Sequence, residues 1–295
     1  MESAESTTRY LIRRAAAAYT AGPTVHHAQI VCERLVHQQL STTVCYWNLP
    51  SDQPRYVAAL YNQLLGLASL LQNDCYLSIK ATALAFDADL LKTILGRAKS
   101  MGAAVHFDSM APETVDRTFS LIEQARQSYR KLGCTLPGRW RRSLLDADRA
   151  VGMGLNVRVV KGQWAEEAGD EIDHRDGYLN VIDRLAAERA QHVAVATHNV
   201  ELAREALRRL KTCGIPCELE LLYGLPRKRM LQLARELDVS ARMYVPCGQA
   251  GLPYHLRQAA RNPRIIGWFL HDLVRAKNFR GGEIGVRPRL YKPGV

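Results

Sequence analysis

The residues of this sequence that invite chemistry are charges set inside apolar runs. In Val157-Arg158-Val159-Val160-Lys161-Gly162-Gln163-Trp164 a guanidinium interrupts a β-branched stretch. A strand in a buried parallel sheet should read as a nearly continuous apolar run. Burying an unpaired guanidinium costs several kcal/mol or more, so either Arg158 points to a counter-charge or dipole, which is the reading taken, or the run is not a buried strand. Lys80, Asp108 and Glu220 interrupt other apolar runs in the same way. Lys80 with Asp108 could form a structural ion pair, or orient a substrate carrying both charges, as an amino acid does. Thr197-His198-Asn199 gathers three hydrogen-bonding side chains, with a turn and helix cap as the alternative reading. Tyr254 and Arg257 stand three apart and share a helix face. Arg257 can clamp a carboxylate through two parallel hydrogen bonds, the alternative being an ordinary surface arginine. His198 has no HxH or HExxH partner, which speaks against a metal. Ser109 and Ser143 lack a nucleophile elbow, which speaks against serine hydrolysis.

The elements that must position these groups alternate in type. Strand-like runs at residues 42–47, 76–80, 104–108, 134–139, 156–162, 192–197, 217–222 and 242–245 are followed by helical patterns. Those helices fall at 53–72, 87–101, 111–132, 144–152, 177–190, 200–213, 226–237 and 254–261, with a last one near 266–277. Two further helical segments, 9–19 and 25–39, precede them, and Thr24 could cap the second. Eight strand–helix repeats predict an α/β fold, a closed (β/α)8 TIM-like barrel; if the eighth helix caps the barrel mouth, Arg257 faces the site. An open doubly wound sheet is the alternative, but no GxGxxG follows an early strand. The chain divides into an N-terminal helical extension (1–40), the barrel (41–280) and a basic C-terminal tail (281–295). Barrel sites form at the C-terminal strand ends. Collected there are Lys80, Asp108, Arg139, Arg158 with Lys161, Thr197-His198-Asn199, Glu218, Glu220 and Tyr244.

Bulk properties narrow the class. A chain of 295 residues with 47% hydrophobic and 23% charged residues suits a soluble globular protein. The net charge of +11 comes from arginines spread along amphipathic helices, without a nucleic-acid-binding signature, and reads as a solvated surface. Seven cysteines, an odd number without a CxxC pair, predict reduced thiols and a cytoplasmic location. The acidic N-terminus lacks an apolar signal core, and no run of about 18 apolar residues could span a membrane.

Seven motifs in order across residues 75–262 resemble the proline dehydrogenase flavoproteins. They are Ser78-Ile79-Lys80, Asp108, Val157-Arg158-Val159-Val160-Lys161-Gly162, Ala196-Thr197-His198-Asn199, Glu218-Leu219-Glu220-Leu221-Leu222-Tyr223-Gly224, Arg242-Met243-Tyr244-Val245-Pro246-Cys247-Gly248, and Tyr254-x-x-Arg257. The resemblance implies a distorted barrel with FAD across the strand ends and the eighth helix above the flavin. It implies that Arg158 contacts the isoalloxazine near its reactive nitrogen, helped by Lys161, Gly162 and Trp164, as a cation stabilising the electron-rich reduced ring. Thr197, His198, Asn199 and Glu220 would complete the cofactor site. Lys80, Asp108, Tyr244, Tyr254, Arg257 and Gln258 would form the substrate pocket, with Arg257 on the carboxylate. The implied reaction moves a hydride from the carbon beside an amine nitrogen to FAD and leaves an imine.

Departures from the family pattern bear on the substrate. Gln258 stands where the family has a second arginine and removes half of the carboxylate clamp. A charged hydrogen bond contributes about 1.5–3 kcal/mol, so proline would bind tens- to a hundredfold more weakly, or the substrate differs. Pro137 and Glu220 replace glutamines near FAD, Arg261 a glutamate, and Trp164 a smaller residue. Tyr244 tends to be small in the hydroxyproline-using branch and leans away from that substrate. The expected function is FAD-dependent oxidation of the carbon–nitrogen bond of L-proline, to 1-pyrroline-5-carboxylate, or of a related cyclic or secondary amino acid. The alternative is a degenerate flavin- or ligand-binding barrel without proline turnover. Expected partners are a small amino-acid substrate and a quinone or other electron acceptor, with no specific nucleic acid. The basic tail could touch the inner face of the membrane peripherally.

Overall fold

Short β-branched runs flanked by amphipathic helices form the parallel barrel that the alternation predicts. The computed structural model describes residues 19–71, 75–162 and 173–248, all within the first of the chain's two units, Met1–Leu252. Its strands are β1 Ser41–Tyr46, β2 Cys75–Ile79, β3 Val105–Phe107, β4 Leu132–Pro137, β5 Asn156–Val160, β6 Val193–Ala196, β7 Cys217–Leu222 and β8 Ser240–Cys247. Each pairs in parallel with the next, and β8 pairs with β1 to close the ring. The helices are α1 Val25–Val36, α2 Pro54–Leu70, α3 Ala88–Met101, α4 Val115–Arg126, α5 Ser143–Gly152, α6 His174–Ala187, α7 Val200–Thr212 and α8 Lys228–Glu236.

The strands are not continuous apolar runs; they alternate. Val157 and Val159 of β5, Leu77 and Ile79 of β2, and Leu219 and Leu221 of β7 are all buried. They belong to the hydrophobic layer shared with helix faces such as Leu202, Ala203, Ala206, Leu207 and Leu210 of α7. The opposite parity carries Thr135, Arg158, Ala194 and Glu218, which the register aligns from strand to strand. These side chains point into the barrel. The apolar layer that drives folding therefore lies between sheet and helices, which frees the interior for polar groups.

α1, in the N-terminal segment, packs against the barrel wall. It buries Ala28, Val31, Cys32 and Leu35 and packs on β8, β1 and α2. Its lead-in is tied to the end of β8 by Ala21 N–H to Pro246 O (2.8 Å) and Gly248 N–H to Gly22 O (2.9 Å).

Several predicted boundaries shift for local reasons. Thr24 precedes α1 but does not cap it; its hydroxyl pairs with His27 Nδ1 at 2.7 Å. The helix expected over 111–132 is a 3-10 turn, Pro112–Thr114, followed by the shorter α4. Tyr129 continues the apolar period in sequence, but it lies beyond the helix and donates its hydroxyl to Ala103 O. β5 ends at Val160 because Gly162 turns to φ +88°, a left-handed conformation. The helices expected at 254–261 and 266–277, most of 9–19, and the tail 281–295 lie outside the described residues.

Gly138, just past β4, lets α6 approach closely. A Cβ there would stand 2.6 Å from Tyr178 Cα, while the Tyr178 hydroxyl donates to Val159 O at 2.8 Å. Gly138→Ala should destabilise the fold by about 1–3 kcal/mol, read as a lower urea midpoint. An unchanged midpoint would mean that this approach relaxes freely.

Candidate active site

Polar side chains fill the barrel in tiers. Toward the N-terminal strand ends, Arg242 donates to Glu218 Oε1 (2.8 Å) and to Thr42 O (2.8 Å). Its guanidinium lies 4.2 Å over the Tyr76 ring, which stacks on His106 at 5.8 Å. His106 Nε2 stands 3.1 Å from Thr135 Oγ1.

Arg158 occupies the middle tier. Its Nε donates to Glu220 Oε2 at 2.6 Å and its Nη1 to Asp108 Oδ1 at 2.8 Å. Nη1 also reaches Ser78 and Thr135 hydroxyls at 3.3 Å each. The side chain is only 4% exposed, yet Nη2 has no hydrogen-bond partner. Burial opposes its charge, but the neighbouring anions, Glu220 foremost, outweigh burial and hold the guanidinium pKa well above its ordinary value. The counter-charge that the sequence demanded is thus supplied twice.

Asp108 is saturated. Oδ1 accepts from Ser78 Oγ (2.6 Å) and Arg158, and Oδ2 accepts from Tyr244 Oη (2.7 Å) and Cys45 Sγ (3.6 Å). The expected Lys80–Asp108 pair does not form. Arg158 has taken the aspartate, and Lys80 Nζ lies 6.0 Å from the centre of the Trp47 ring. Tyr244 covers Arg158, its ring centre 5.0 Å from Cζ. Burial, helped by the Asp108 charge, pushes the Tyr244 phenol well above its usual range and keeps it protonated.

Above this tier a cavity of about 170 Å³ opens beside the exits of β5 to β8. Val160, Ala196, Thr197, His198, Glu220, Leu221, Leu222 and Tyr244 line it. Glu220 is its carboxylate, held by the Thr43 hydroxyl on Oε1 (2.9 Å) and by Arg158 on Oε2. His198 is fixed: its Nε2 accepts the Leu222 N–H (3.0 Å), which leaves the proton on Nδ1 facing Pro226 O (3.3 Å). Asn199 Oδ1 caps α7 by accepting the Leu202 N–H, and Thr197 Oγ1 accepts the Asn199 N–H. The turn-and-cap reading therefore accounts for Asn199, while Thr197 and His198 also border the cavity.

The barrel brings together Asp108, Arg158, Glu220 and Tyr244. Lys80 stands just past β2, and Lys161, exposed, and Gly162 just past β5. A Cβ on Gly162 would meet Pro137 Cβ at 2.7 Å, so the glycine allows the two exits to touch. Trp164, Tyr254, Arg257 and Gln258 lie outside the described residues. Sequence reasoning missed Thr43, Cys45 and Thr135, which hold the charged groups in place. Their signal was period-two alternation on β1 and β4, hidden because Thr and Cys pass for strand-forming residues.

The fold and this site define a closed parallel α/β barrel with a polar interior and a small cavity at its strand exits. No protein-family model matches the chain. Proline dehydrogenase 1 of Bacillus subtilis subsp. natto is 26% identical over 281 residues, covering 90% of this chain and 93% of that protein. Proline dehydrogenase 1 of Bacillus subtilis strain 168 is 25% identical over the same shares. The chain is thus similar to proline dehydrogenases along most of its length. Among solved structures, proline utilization A (PutA) from Bdellovibrio bacteriovorus, inactivated by N-propargylglycine, matches with TM-score 0.70 and 16% identity over 83% of this chain. A PutA from Bradyrhizobium japonicum matches with TM-score 0.63 and 17% identity over 79%. This chain spans only 32% and 29% of those longer proteins, and the likeness is one of fold.

Two outcomes follow from the buried charges. Asp108→Ala strips an acceptor from Arg158, Ser78 and Tyr244 and should cost about 3–5 kcal/mol in denaturant unfolding; a loss below about 1 kcal/mol would show that the cluster does not support the barrel. His106 and His192 have pKa values lowered below 6.5, chiefly by burial. The unfolded chain then binds more protons below pH 6.5, so stability should fall as pH drops through that value. The limiting slope is about 1.4 kcal/mol per pH unit for each histidine, and His106→Gln should flatten the profile. An equally steep profile in that variant would contradict the assignment.

Proposed function

We propose that this protein is an FAD-dependent dehydrogenase that oxidises the carbon–nitrogen bond of L-proline, or of a related cyclic or secondary amino acid. The observation that carries the reading is the similarity to Proline dehydrogenase 1 over 90% of this chain and 93% of that protein. The site supports it. The cavity walls of Val160, Ala196, Leu221 and Leu222 with polar Thr197, Glu220 and Tyr244 suit a flat heteroaromatic ring. Beneath them, the buried Arg158 Nη2 is a donor that lacks an acceptor. When bound, FAD supplies the two-electron acceptor chemistry. Arg158, Thr197, His198 and Glu220 would hold it, with Lys161, Gly162, Asn199 and Trp164 proposed from the motifs.

The protein's own groups bind and orient. Tyr244 keeps its phenolic proton on the bond to Asp108, and Asp108 accepts from four donors. Neither is a free base; Asp108 is a positioning residue that fixes Arg158 and Tyr244. Lys80, half-buried past β2, offers a cation for a substrate carboxylate. Arg257 is proposed from the Tyr254-x-x-Arg257 motif as the second, with Tyr254 and Gln258 completing the pocket. Electrons pass to a quinone or another acceptor, and the tail 281–295, with Arg287, Arg289 and Lys292, would favour an anionic membrane surface. No helix among the described residues is long and apolar enough to cross a membrane.

The purified protein should be yellow, or become so with added FAD, and L-proline should bleach the flavin absorbance anaerobically. Arg257→Ala should raise KM for proline by tens- to a hundredfold, the loss expected of a charged hydrogen bond worth about 1.5–3 kcal/mol. A colourless protein that takes up no FAD would refute the flavin. A yellow protein that no cyclic or N-alkyl amino acid bleaches would refute the dehydrogenase.

A further inference from the structure

Among the described residues that line the cavity, the carboxylate is Glu220 and no arginine or lysine is present. Arg158 lies beneath Tyr244. One guanidinium is bonded to two carboxylates, Asp108 and Glu220, so the cluster of three carries a net charge of 1 − 2 = −1. Lys80 forms no ion pair with it. A lone cation would favour electron-rich reduced flavin; this cluster does not act as a lone cation.

We infer that Glu220 is a positioning and charge-setting residue that lowers the reduction potential of the bound flavin. The inference rests on the flavin reading above. Glu220 fixes Arg158 through Nε, leaving Nη2 as the unpartnered donor, and it offsets the guanidinium charge at the cavity wall. It is 2% exposed, so solvent screens little of that charge. A unit charge within a few ångströms, at an effective dielectric of about 20, changes an equilibrium by more than tenfold. Glutamine in its place keeps both contacts. Its carbonyl accepts from Arg158, and its amide donates to the Thr43 hydroxyl, whose oxygen can also accept. Glu220→Gln therefore removes the charge with little change of shape.

The test is the midpoint potential of the bound flavin, with the affinity for sulfite, which adds to flavin as an anion and reports local positive charge. Glu220→Gln should raise the potential and tighten sulfite binding at least tenfold, equivalent to about 30 mV or more for a two-electron couple. Glu236→Gln removes a carboxylate on α8, paired with Arg204 outside the barrel interior, and should leave both quantities unchanged. Unaltered or lower values in Glu220→Gln overturn the inference, as does an equal shift in Glu236→Gln. If Glu220→Gln does not retain flavin, the wild type decides, since weak sulfite binding supports the inference and tight binding overturns it. Failure of the wild type to bind FAD would instead refute the flavin reading itself.

Discussion

The bond network of Arg158 is the constraint on which the rest of this structure depends. A guanidinium with 4% exposure must find anions, and it finds them on β3's exit and on β7, on two sides of the barrel. Those anions need donors for their remaining lone pairs. Thr43 on β1, Ser78 on β2 and Tyr244 on β8 supply them. One strand's charge thus ties β1, β2, β4, β7 and β8 into a single hydrogen-bonded interior. Removing any partner strands the others in a medium where an unpaired charge is costly.

This arrangement separates stability from chemistry. The apolar parity of each strand faces the helices and builds the core, while the other parity is left to carry charge. Two arginine–carboxylate sets stack within the barrel, Arg242 with Glu218 below and Arg158 with Asp108 and Glu220 above. The lower set borders Tyr76 and His106 and fills space. The upper set reaches the cavity wall through Glu220, so its geometry is passed on to whatever binds there. Rigid strands rather than loops fix Arg158, Glu220 and Tyr244.

Much of this was legible in the sequence. Eight alternating repeats gave the closed barrel, because only a helix-covered parallel sheet buries such strands on both faces. Arg158 announced a buried site through its energetic cost. Its partners were not legible. Lys80 and Asp108 looked like a pair on adjacent strands, but strand neighbours do not reveal which side chain reaches across a barrel. Glu220, read as a replacement near a cofactor, proved to be the counter-ion of Arg158. The two carboxylates bonded to the Arg158 guanidinium were not legible as its partners in the sequence. Helix ends such as that of α4 were obscured because Tyr129 prolongs the apolar period while serving a tertiary bond.

The interior network and the cofactor reading meet at one pair, Arg158 and Glu220. A double-mutant cycle on unfolding free energy, with Arg158→Met, Glu220→Leu and the double variant, each single change removing the bond between them, measures their coupling directly. The double variant should lose clearly less than the sum of the two single losses, with a coupling energy above about 1 kcal/mol. Additive losses would contradict a barrel interior organised around that bond.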